Sequence, residues 1–339
     1  MSINMMCSLP ANDIRVFKPR QDLVQFELRT AVKCIKCITF KHVSLLQGNT
    51  FSKASCGFSG YLLCCLCAVG EVVRTLPEGD RVCGVTSLGE EIFILRWKGR
   101  TEIEVYDVIS FLLVRCSPVP NSAGEFLDMT SCEHHRCVYA CDTKYVHRLD
   151  VKGATSASTR WAVNARALSV NSAHNVLATC TQMRKIKEFT SRGYLLREVT
   201  LPDGVATPWH ATMSASGQLI ASHGHLYAPV HRVCVITPDG RQVVRSHGGQ
   251  MGSDIGQYHV PRHLAIDSNE SVFVLDILNR RVALLSPRLE HLREVVSPAQ
   301  VKWWPYRMSL DVRRRRLYVT DNEFEDGNYT SGRVLVVSV

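Results

Sequence analysis

A repeat of nearly constant length is the feature that most limits how this chain can fold. Six places share a polar or basic residue followed by an apolar one near the start of an alternating strand: Glu102-Ile103, Arg148-Leu149, Lys185-Ile186, Arg232-Val233, Arg281-Val282 and Arg333-Val334. Their spacing, about 37 to 52 residues, is typical of a four-stranded β-propeller blade and longer than most helical repeats. Six anchors therefore predict six blades.

Each unit repeats the same order of short strands. In the best example an apolar strand at 264–266 is followed by a turn, a second strand at 271–275, the anchor strand, and a fourth strand at 292–296. Turn residues separate the strands, and almost no segment has the period of an amphipathic helix. The sequence therefore predicts an all-β fold, a six-bladed propeller over residues 70–339.

The last unit has three strands, and the fourth is expected from upstream. The chain finishes in the third strand at 333–339, whereas residues 70–77 resemble the fourth-strand segment 196–202 and precede the first strand of blade one. Pairing 70–77 with the C-terminal strand would complete the last blade and leave no sheet edge open.

Residues 1–69 are predicted to form a cysteine-rich basic extension that is disordered or irregular. The net charge of the chain is +9, and this segment holds about five of the excess positive charges. Cys34 and Cys37 form a Cys-x-x-Cys that makes zinc an alternative, but the cysteines at 56, 64, 65 and 67 lie along an apolar run without a suitably spaced histidine. We expect no metal there.

The lengths of the apolar runs and the positions of the cysteines predict the cellular compartment. No run reaches the roughly 18 apolar residues of a membrane span, and the N-terminus lacks the basic-then-apolar order of a secretory signal. The cysteines after residue 70 are scattered along strands, as expected of buried thiols in a reducing compartment. We expect a cytoplasmic protein with no membrane partner.

One blade carries a recognisable family pattern. It combines Gly256-Gln257, a proline at 261 before an apolar strand ending in Asp267, a strand ending in Asp276, and the turn 279–282 with the sequence Asn-Arg-Arg-Val. This pattern resembles the NHL repeat. The match is good over this blade and fair at 208–245 and 305–339, while before residue 165 only the spacing and strand pattern support it.

The resemblance implies a fold and a class of function. NHL repeats form six-bladed propellers, as at the C-terminus of tripartite-motif (TRIM) ubiquitin ligases and in free-standing invertebrate NHL proteins. These relatives bind protein or single-stranded RNA through the propeller. The resemblance thus implies a non-enzymatic scaffold that captures a protein or peptide, with substrate recognition in a ubiquitin-ligase system as one context and single-stranded RNA as the alternative ligand.

Aligning the blades at the start of the innermost strand predicts a ring at one mouth of the central channel. The aligned residues are Arg81, Glu125, Arg166, Trp209, Arg262 and Tyr306, and the next position holds Val82, Phe126, Ala167, His210, His263 and Arg307. With Glu125 as its single carboxylate, this ring is basic and aromatic. It would suit an acidic or phosphorylated peptide, or splayed-out bases.

Two further observations belong to this prediction. The loops between second and third strands, which carry Arg184, His225 and Arg280, are expected on the same face. In the alternative interpretation, the aligned side chains stack against neighbouring blades and have no partner-binding role.

Catalysis is not expected. A metal-dependent propeller hydrolase or lyase, the remote alternative, needs several oxygen or imidazole ligands on the axis, and the ring offers one glutamate. His223, His225 and His231 share one loop region without a nearby carboxylate, so we expect solvated side chains there. Arg313–Arg316 are expected in a solvated hairpin turn on the opposite face. We predict no catalytic residue, cofactor or metal.

Overall fold

The computed structural model of the protein describes residues 69–97, 101–119, 125–150 and 157–339. The predicted extension at 1–69 lies outside these residues except for its last position, so its character stays a prediction. Within the described residues, no helix is long and apolar enough to cross a membrane.

The described chain folds into strands whose bounds follow the apolar repeat. The first strand is β1 (Val72–Gly79), and blade 1 contains β2 (Arg81–Leu88), β3 (Glu91–Trp97), β4 (Thr101–Asp107) and β5 (Leu113–Pro118). Blade 2 contains β6 (Asp128–Cys132), β7 (Cys137–Cys141), β8 (Tyr145–Asp150) and β9 (Ala157–Ala162). Blade 3 contains β10 (Ala167–Val170), β11 (Val176–Cys180), β12 (Lys185–Phe189) and β13 (Leu195–Thr200), with a 3-10 turn at Thr181–Met183.

The remaining blades repeat this order. Blade 4 contains β14 (Pro208–Met213), β15 (Leu219–His223), β16 (His231–Ile236) and β17 (Val243–Gly249). Blade 5 contains β18 (Pro261–Ile266), β19 (Val272–Asp276), β20 (Arg281–Leu285) and β21 (His291–Val296). Blade 6 contains β22 (Trp304–Asp311), β23 (Arg316–Glu325) and β24 (Asn328–Ser338), and β1 is the fourth strand of its sheet. The fold is a six-bladed β-propeller, as the repeat predicts.

The hydrophobic core lies in six wedges between neighbouring blades. Each wedge is a separate cluster of buried side chains that draws on two adjacent sheets, and the six clusters follow one another around the ring. The wedge between blades 2 and 3 includes four of the buried cysteines, Cys132, Cys137, Cys141 and Cys180. Because a blade buries its apolar faces only against its neighbours, the ring is stable only when every neighbour is present.

The ring closes between β1 and β24. These strands pair in antiparallel register, with Leu76 opposite Val334, and the Leu76 side chain is fully buried in the wedge between blades 6 and 1. Two polar side chains reinforce the closure. Asn322 accepts a hydrogen bond from the Val82 amide (2.8 Å) and donates one to the Val82 carbonyl (2.9 Å). Arg96 donates to the carbonyls of Pro77 (2.9 Å) and Gly332 (3.0 Å).

The closure strand allows a matched test. Leu76→Ala should lower the free energy of unfolding by about 2–5 kcal/mol, because it removes a fully buried side chain at the seam of the ring. Val73→Ala on the same strand should change it by no more than about 0.5 kcal/mol, since Val73 is 42% exposed. Equal costs in chemical denaturation would show that the seam does not support the ring.

Candidate functional site: the mouth of the propeller

The starts of the innermost strands meet at one mouth of the central channel. Of the residues predicted for the ring there, Arg81, Trp209, Arg262 and Tyr306 are buried, and Arg166 is half-buried. The ring therefore forms the floor of the mouth, and its side chains pass from one blade to the next.

Arg262 is the centre of this floor. Its guanidinium carbon lies 3.9 Å from the centroid of the Tyr306 ring and 4.5 Å from that of Trp209, and it donates a hydrogen bond to the Tyr306 hydroxyl. Trp209 in turn donates from its indole nitrogen to the Gly224 carbonyl (2.8 Å). One arginine of blade 5 thus lies between aromatic rings of blades 4 and 6, in geometry that favours cation–π attraction.

The two flanking arginines extend the same arrangement. Arg166 lies over Trp209 at 5.3 Å, and Arg81 lies over Tyr306 at 5.5 Å and over Tyr329 at 4.1 Å. Arg81 also forms an ion pair with Glu125. These contacts are the stacking between blades that the alternative interpretation described, so the ring has a structural role whatever it binds.

The charges of the ring are incompletely balanced. Among the described residues, no carboxylate lies within ion-pair distance of Arg262, and burial lowers the pKa of its guanidinium to about 10. A buried charge is costly unless it is paired and hydrogen-bonded, and the two aromatic faces supply part of that compensation. The part of the Arg262 charge that remains uncompensated makes this floor favourable for an anion.

The pKa of Tyr306 reflects the same positive potential. Burial alone would raise the pKa of its phenol, but the guanidinium groups of Arg262, Arg307, Arg166 and Arg81 outweigh burial and lower that pKa to about 8. A phenol ionises this readily only where an anion is stabilised by nearby cations. The mouth therefore stabilises negative charge at the position of a side chain that is ordinarily neutral.

Arg307, His210 and His263 lie beneath the ring, on the propeller axis. Arg307 is 1% exposed; its Nε lies 3.0 Å from Asp128 Oδ1 and donates to the Leu127 carbonyl at 2.9 Å. His210 is hydrogen-bonded through Nε2 to the Leu168 carbonyl (3.1 Å), and its ring centroid lies 3.9 Å from that of His263. Arg307 and His263 thus contact Asp128, and His210 contacts His263, so these three predicted binding residues are buried below the open mouth.

Asp128 is the residue that sequence reasoning missed. It is 1% exposed, and its Oδ2 accepts from the Leu168 amide at 2.8 Å. Burial opposes its ionisation, but Arg307 and His263 outweigh that effect and hold the pKa of the Asp128 carboxyl well below its usual range. The axis thus carries a second carboxylate beside Glu125. The available signal was an aspartate at the start of an innermost strand, two positions after the aligned Phe126.

The loops between second and third strands lie on the mouth side, where they were expected. Arg184 forms an ion pair with Asp203 (2.8 Å), and Arg280 donates to the Val301 carbonyl, so each contacts the loop that leads into the next blade. His225 is exposed, and its ring stacks on Trp209 with 6.3 Å between centroids.

The arginine run lies at the other end of the innermost strand. The turn between β22 and β23 contains Arg313, Arg314 and Arg315, and β23 begins at Arg316. Arg314 forms ion pairs with Glu90 and with Asp311 (3.1 Å), whereas Arg313 has a side chain that is 65% exposed. This turn is remote from the mouth floor.

The expectation of solvated histidines in blade 4 is wrong for His223 and His231, which are buried and are used in local hydrogen bonds. His231 accepts from the Val260 amide at Nδ1 (3.0 Å), its Nε2 lies 3.1 Å from the Ala228 carbonyl, and His223 Nε2 lies 3.5 Å from Cys234 Sγ. Within the part of the chain that the structure describes, one group has the spacing to hold a metal ion: Asp128, His210 and His263. The Cys34–Cys37 candidate lies outside the described residues.

Comparison with known proteins supports the fold and goes no further. No family model matches the chain, and no curated protein matches it. Solved structures do match. The PQQ-bound aldose sugar dehydrogenase of Streptomyces coelicolor gives a TM-score of 0.55 at 15% identity, covering 79% of this chain and 98% of that one.

Two other matches have lower sequence identity. A catalytically inactive virginiamycin B lyase of Staphylococcus aureus with quinupristin gives 0.52 at 11% identity, covering 76% of this chain and 81% of the lyase. The Cps50 (Swd1) propeller domain of Myceliophteria thermophila gives 0.51 at 11% identity, covering 80% and 99%. The matches include two enzymes and one propeller domain whose name states no enzymatic activity. The comparisons therefore show a β-propeller fold, and any function has to be argued from the site itself.

The low pKa of Tyr306 can be measured directly. In an optical titration of phenolate absorbance, one tyrosine should ionise near pH 8 in the folded protein, because the surrounding guanidinium groups stabilise its anion. Tyr306→Phe should remove that step and leave the later ones unchanged. A titration with no tyrosine ionising below the ordinary range near pH 10 would contradict the positive potential assigned to the mouth.

The axial ion pair gives a second test. Arg307→Ala should lower the free energy of unfolding by about 3–5 kcal/mol, since it leaves the Asp128 carboxylate buried without its cation. Arg313→Ala, in the exposed turn, should change it by no more than about 0.5 kcal/mol. If the two variants are equally stable in chemical denaturation, the pair contributes nothing to the ring.

Proposed function

We propose that this propeller is a non-enzymatic scaffold that captures a protein partner by an acidic or phosphorylated segment at the mouth of the channel. The observation that carries the proposal is Arg262, a buried guanidinium held between Trp209 and Tyr306 with no carboxylate partner among the described residues. Its fixed plane and free donor capacity suit a carboxylate or phosphate, which arginine binds through parallel hydrogen bonds.

The charge count around Arg262 supports an anionic ligand. The guanidinium groups of Arg81, Arg262 and Arg307 all lie near Tyr306, and among the described residues the carboxylates that pair with them are Glu125 and Asp128. Glu125 pairs with Arg81 and Asp128 with Arg307. An incoming anion would therefore meet a net positive floor in a partly desolvated site, where charge pairing is stronger than at the open surface.

The state of the aromatic rings favours a peptide over RNA. Sequence-tolerant binding of single strands needs open aromatic faces on which bases can stack. Here Trp209 is 5% exposed and Tyr306 is 4% exposed, and cationic or imidazole groups cover both rings. Tyr227, 74% exposed beside His225, is more suited to the rim contacts of a protein partner.

The resemblance to NHL repeats places this binding role in a wider context. We infer that the protein is a cytoplasmic NHL-type propeller that recognises substrates. The link to ubiquitin transfer comes from the resemblance alone. The seven cysteines of the described residues are all free thiols, and six are buried, which fits a reducing compartment. The residues of the mouth recognise charge and supply no reaction of their own.

Fluorescence anisotropy with three probes tests the proposal. The probes are a glutamate-rich peptide, a phosphoserine peptide and a uridine oligonucleotide, each titrated with the full chain at low and moderate salt. We expect an acidic peptide to bind and Arg262→Leu to weaken it by about 10- to 150-fold, the loss for a charged hydrogen bond.

The matched control is Arg313→Leu, which removes an arginine of the remote turn and should leave the affinity unchanged. Thermal unfolding of each variant separates loss of binding from loss of fold. Oligonucleotide binding that falls steeply with salt, without peptide binding, would replace the proposal with the RNA alternative. Loss of peptide binding in the turn variant alone would show that the wrong face has been chosen.

A further inference from the structure

Three buried residues from different blades converge on the axis below the mouth. Asp128 begins β6, His210 lies in β14 and His263 lies in β18, and one ligand atom from each is within 4.8 Å of the others. All three residues are at most 5% exposed. Two imidazoles and one carboxylate form a ligand set that suits divalent transition metals.

The spacing within this group is looser than that of an ion pair. His263 Nε2 lies 3.4 Å from Asp128 Oδ2, whereas a charge-assisted N–H to carboxylate hydrogen bond is about 2.7–2.9 Å long. Two ligand atoms of a tetrahedral zinc ion, each bound at about 2.0–2.1 Å, lie about 3.3 Å apart. The separation therefore fits two ligands of one ion better than it fits a direct hydrogen bond.

The hydrogen bonds of the two imidazoles are incomplete. Nε2 of His210 donates to the Leu168 carbonyl at 3.1 Å, which leaves Nδ1 as the ring atom available for an ion. Nδ1 of each ring is buried and has no hydrogen-bond partner among the described residues. Because buried polar atoms are nearly always paired, the unpaired Nδ1 of His210 points to an ion, whereas the ligand atom of His263 is Nε2, 3.4 Å from Asp128 Oδ2.

The carboxylate is already oriented by a second group. Arg307 Nε lies 3.0 Å from Asp128 Oδ1, while Oδ2 accepts from the Leu168 amide at 2.8 Å and also lies 3.4 Å from His263 Nε2. Carboxylates that bind metals are themselves commonly hydrogen-bonded in this way. The guanidinium charge also repels a cation, so we expect the affinity here to be weaker than at a structural zinc site.

A cavity gives access to the group from the end opposite the mouth. Its volume is about 350 Å³, and its lining includes His210 and His263 but neither Asp128 nor Arg307. Hydroxyl groups of Thr86, Ser169 and Ser309 line its walls. The carboxylates of Asp267 and Glu270 also lie along it, and their charge favours the approach of a cation.

We propose that Asp128, His210 and His263 bind one divalent transition-metal ion of the Zn²⁺ type. The remaining coordination position of this ion opens into the axial cavity. The ion would connect blades 2, 4 and 5 across the channel. Neither this site nor its test depends on the anion-binding role of the mouth.

Titration of the chelator-treated full chain with Co²⁺ tests the site, since tetrahedral Co²⁺ absorbs in the visible. Thiolate ligands add a charge-transfer band, which separates any binding at Cys34 and Cys37 from binding at imidazole and carboxylate. We expect one equivalent of Co²⁺ with a nitrogen and oxygen spectrum, displaced by Zn²⁺, and a Zn²⁺-dependent rise in melting temperature. His263→Asn and His210→Asn should each weaken this binding by at least about 10-fold.

The control removes a different set of imidazoles. His134→Ala combined with His174→Ala deletes two surface rings that stack 4.2 Å apart, and should leave the spectrum and the melting shift intact. If the histidine variants do not fold, the Co²⁺ spectrum and the Zn²⁺-dependent melting shift of the unmodified chain still test the site. Retention of the nitrogen and oxygen spectrum in His210→Asn/His263→Asn, or its absence from the unmodified chain, would overturn the proposal.

Discussion

A buried ion pair between Asp128 and Arg307 crosses the propeller axis, and both candidate sites are built on it. The two residues belong to blades 2 and 6, and the hydrogen bonds of Arg307 to the carbonyls of Leu127 and Arg166 link it to blades 2 and 3 as well. A pair this deeply buried recovers its desolvation cost only when geometry and further hydrogen bonds are favourable, and here both partners have them. Its contribution is therefore to position the blades as much as to stabilise them.

The pair also divides the channel into two electrostatic environments. Above it, Arg262 and its neighbours favour negative charge, while below it neutral imidazoles and the carboxylates of Asp267 and Glu270 favour a cation. A low-dielectric interior screens charge only weakly, so such opposite preferences can persist over short distances. The propeller can thus offer two chemically different sites on one axis without enlarging the protein.

The sequence was sufficient to predict the architecture because each propeller blade is encoded by a local pattern of strands and turns. The anchors such as Arg281-Val282 fall in the third strands, and the match between 70–77 and 196–202 located β1. The ring residues could be identified from the alignment of the blades alone.

Their burial could not be predicted in the same way. Whether Arg262 points into solvent or between Trp209 and Tyr306 depends on side chains from blades about 50 residues away in sequence. Asp128 was missed for the same reason, since its partner Arg307 is distant in the chain and only the closed ring brings them together.

The pairing of β1 with β24 also affects how the protein is made. Strand β1 ends at Gly79, and its partner begins at Asn328, so the ribosome must add roughly 250 residues before the seam can form. At 5–20 residues per second that is a delay of roughly 12 to 50 s. During this interval the nascent chain holds β1 without its partner, and the finished blades form an open arc whose two end blades each leave an apolar sheet face uncovered. Chaperones that bind exposed apolar surface would therefore be needed most during the last seconds of synthesis, when nearly all of the propeller has been made but the ring is still open.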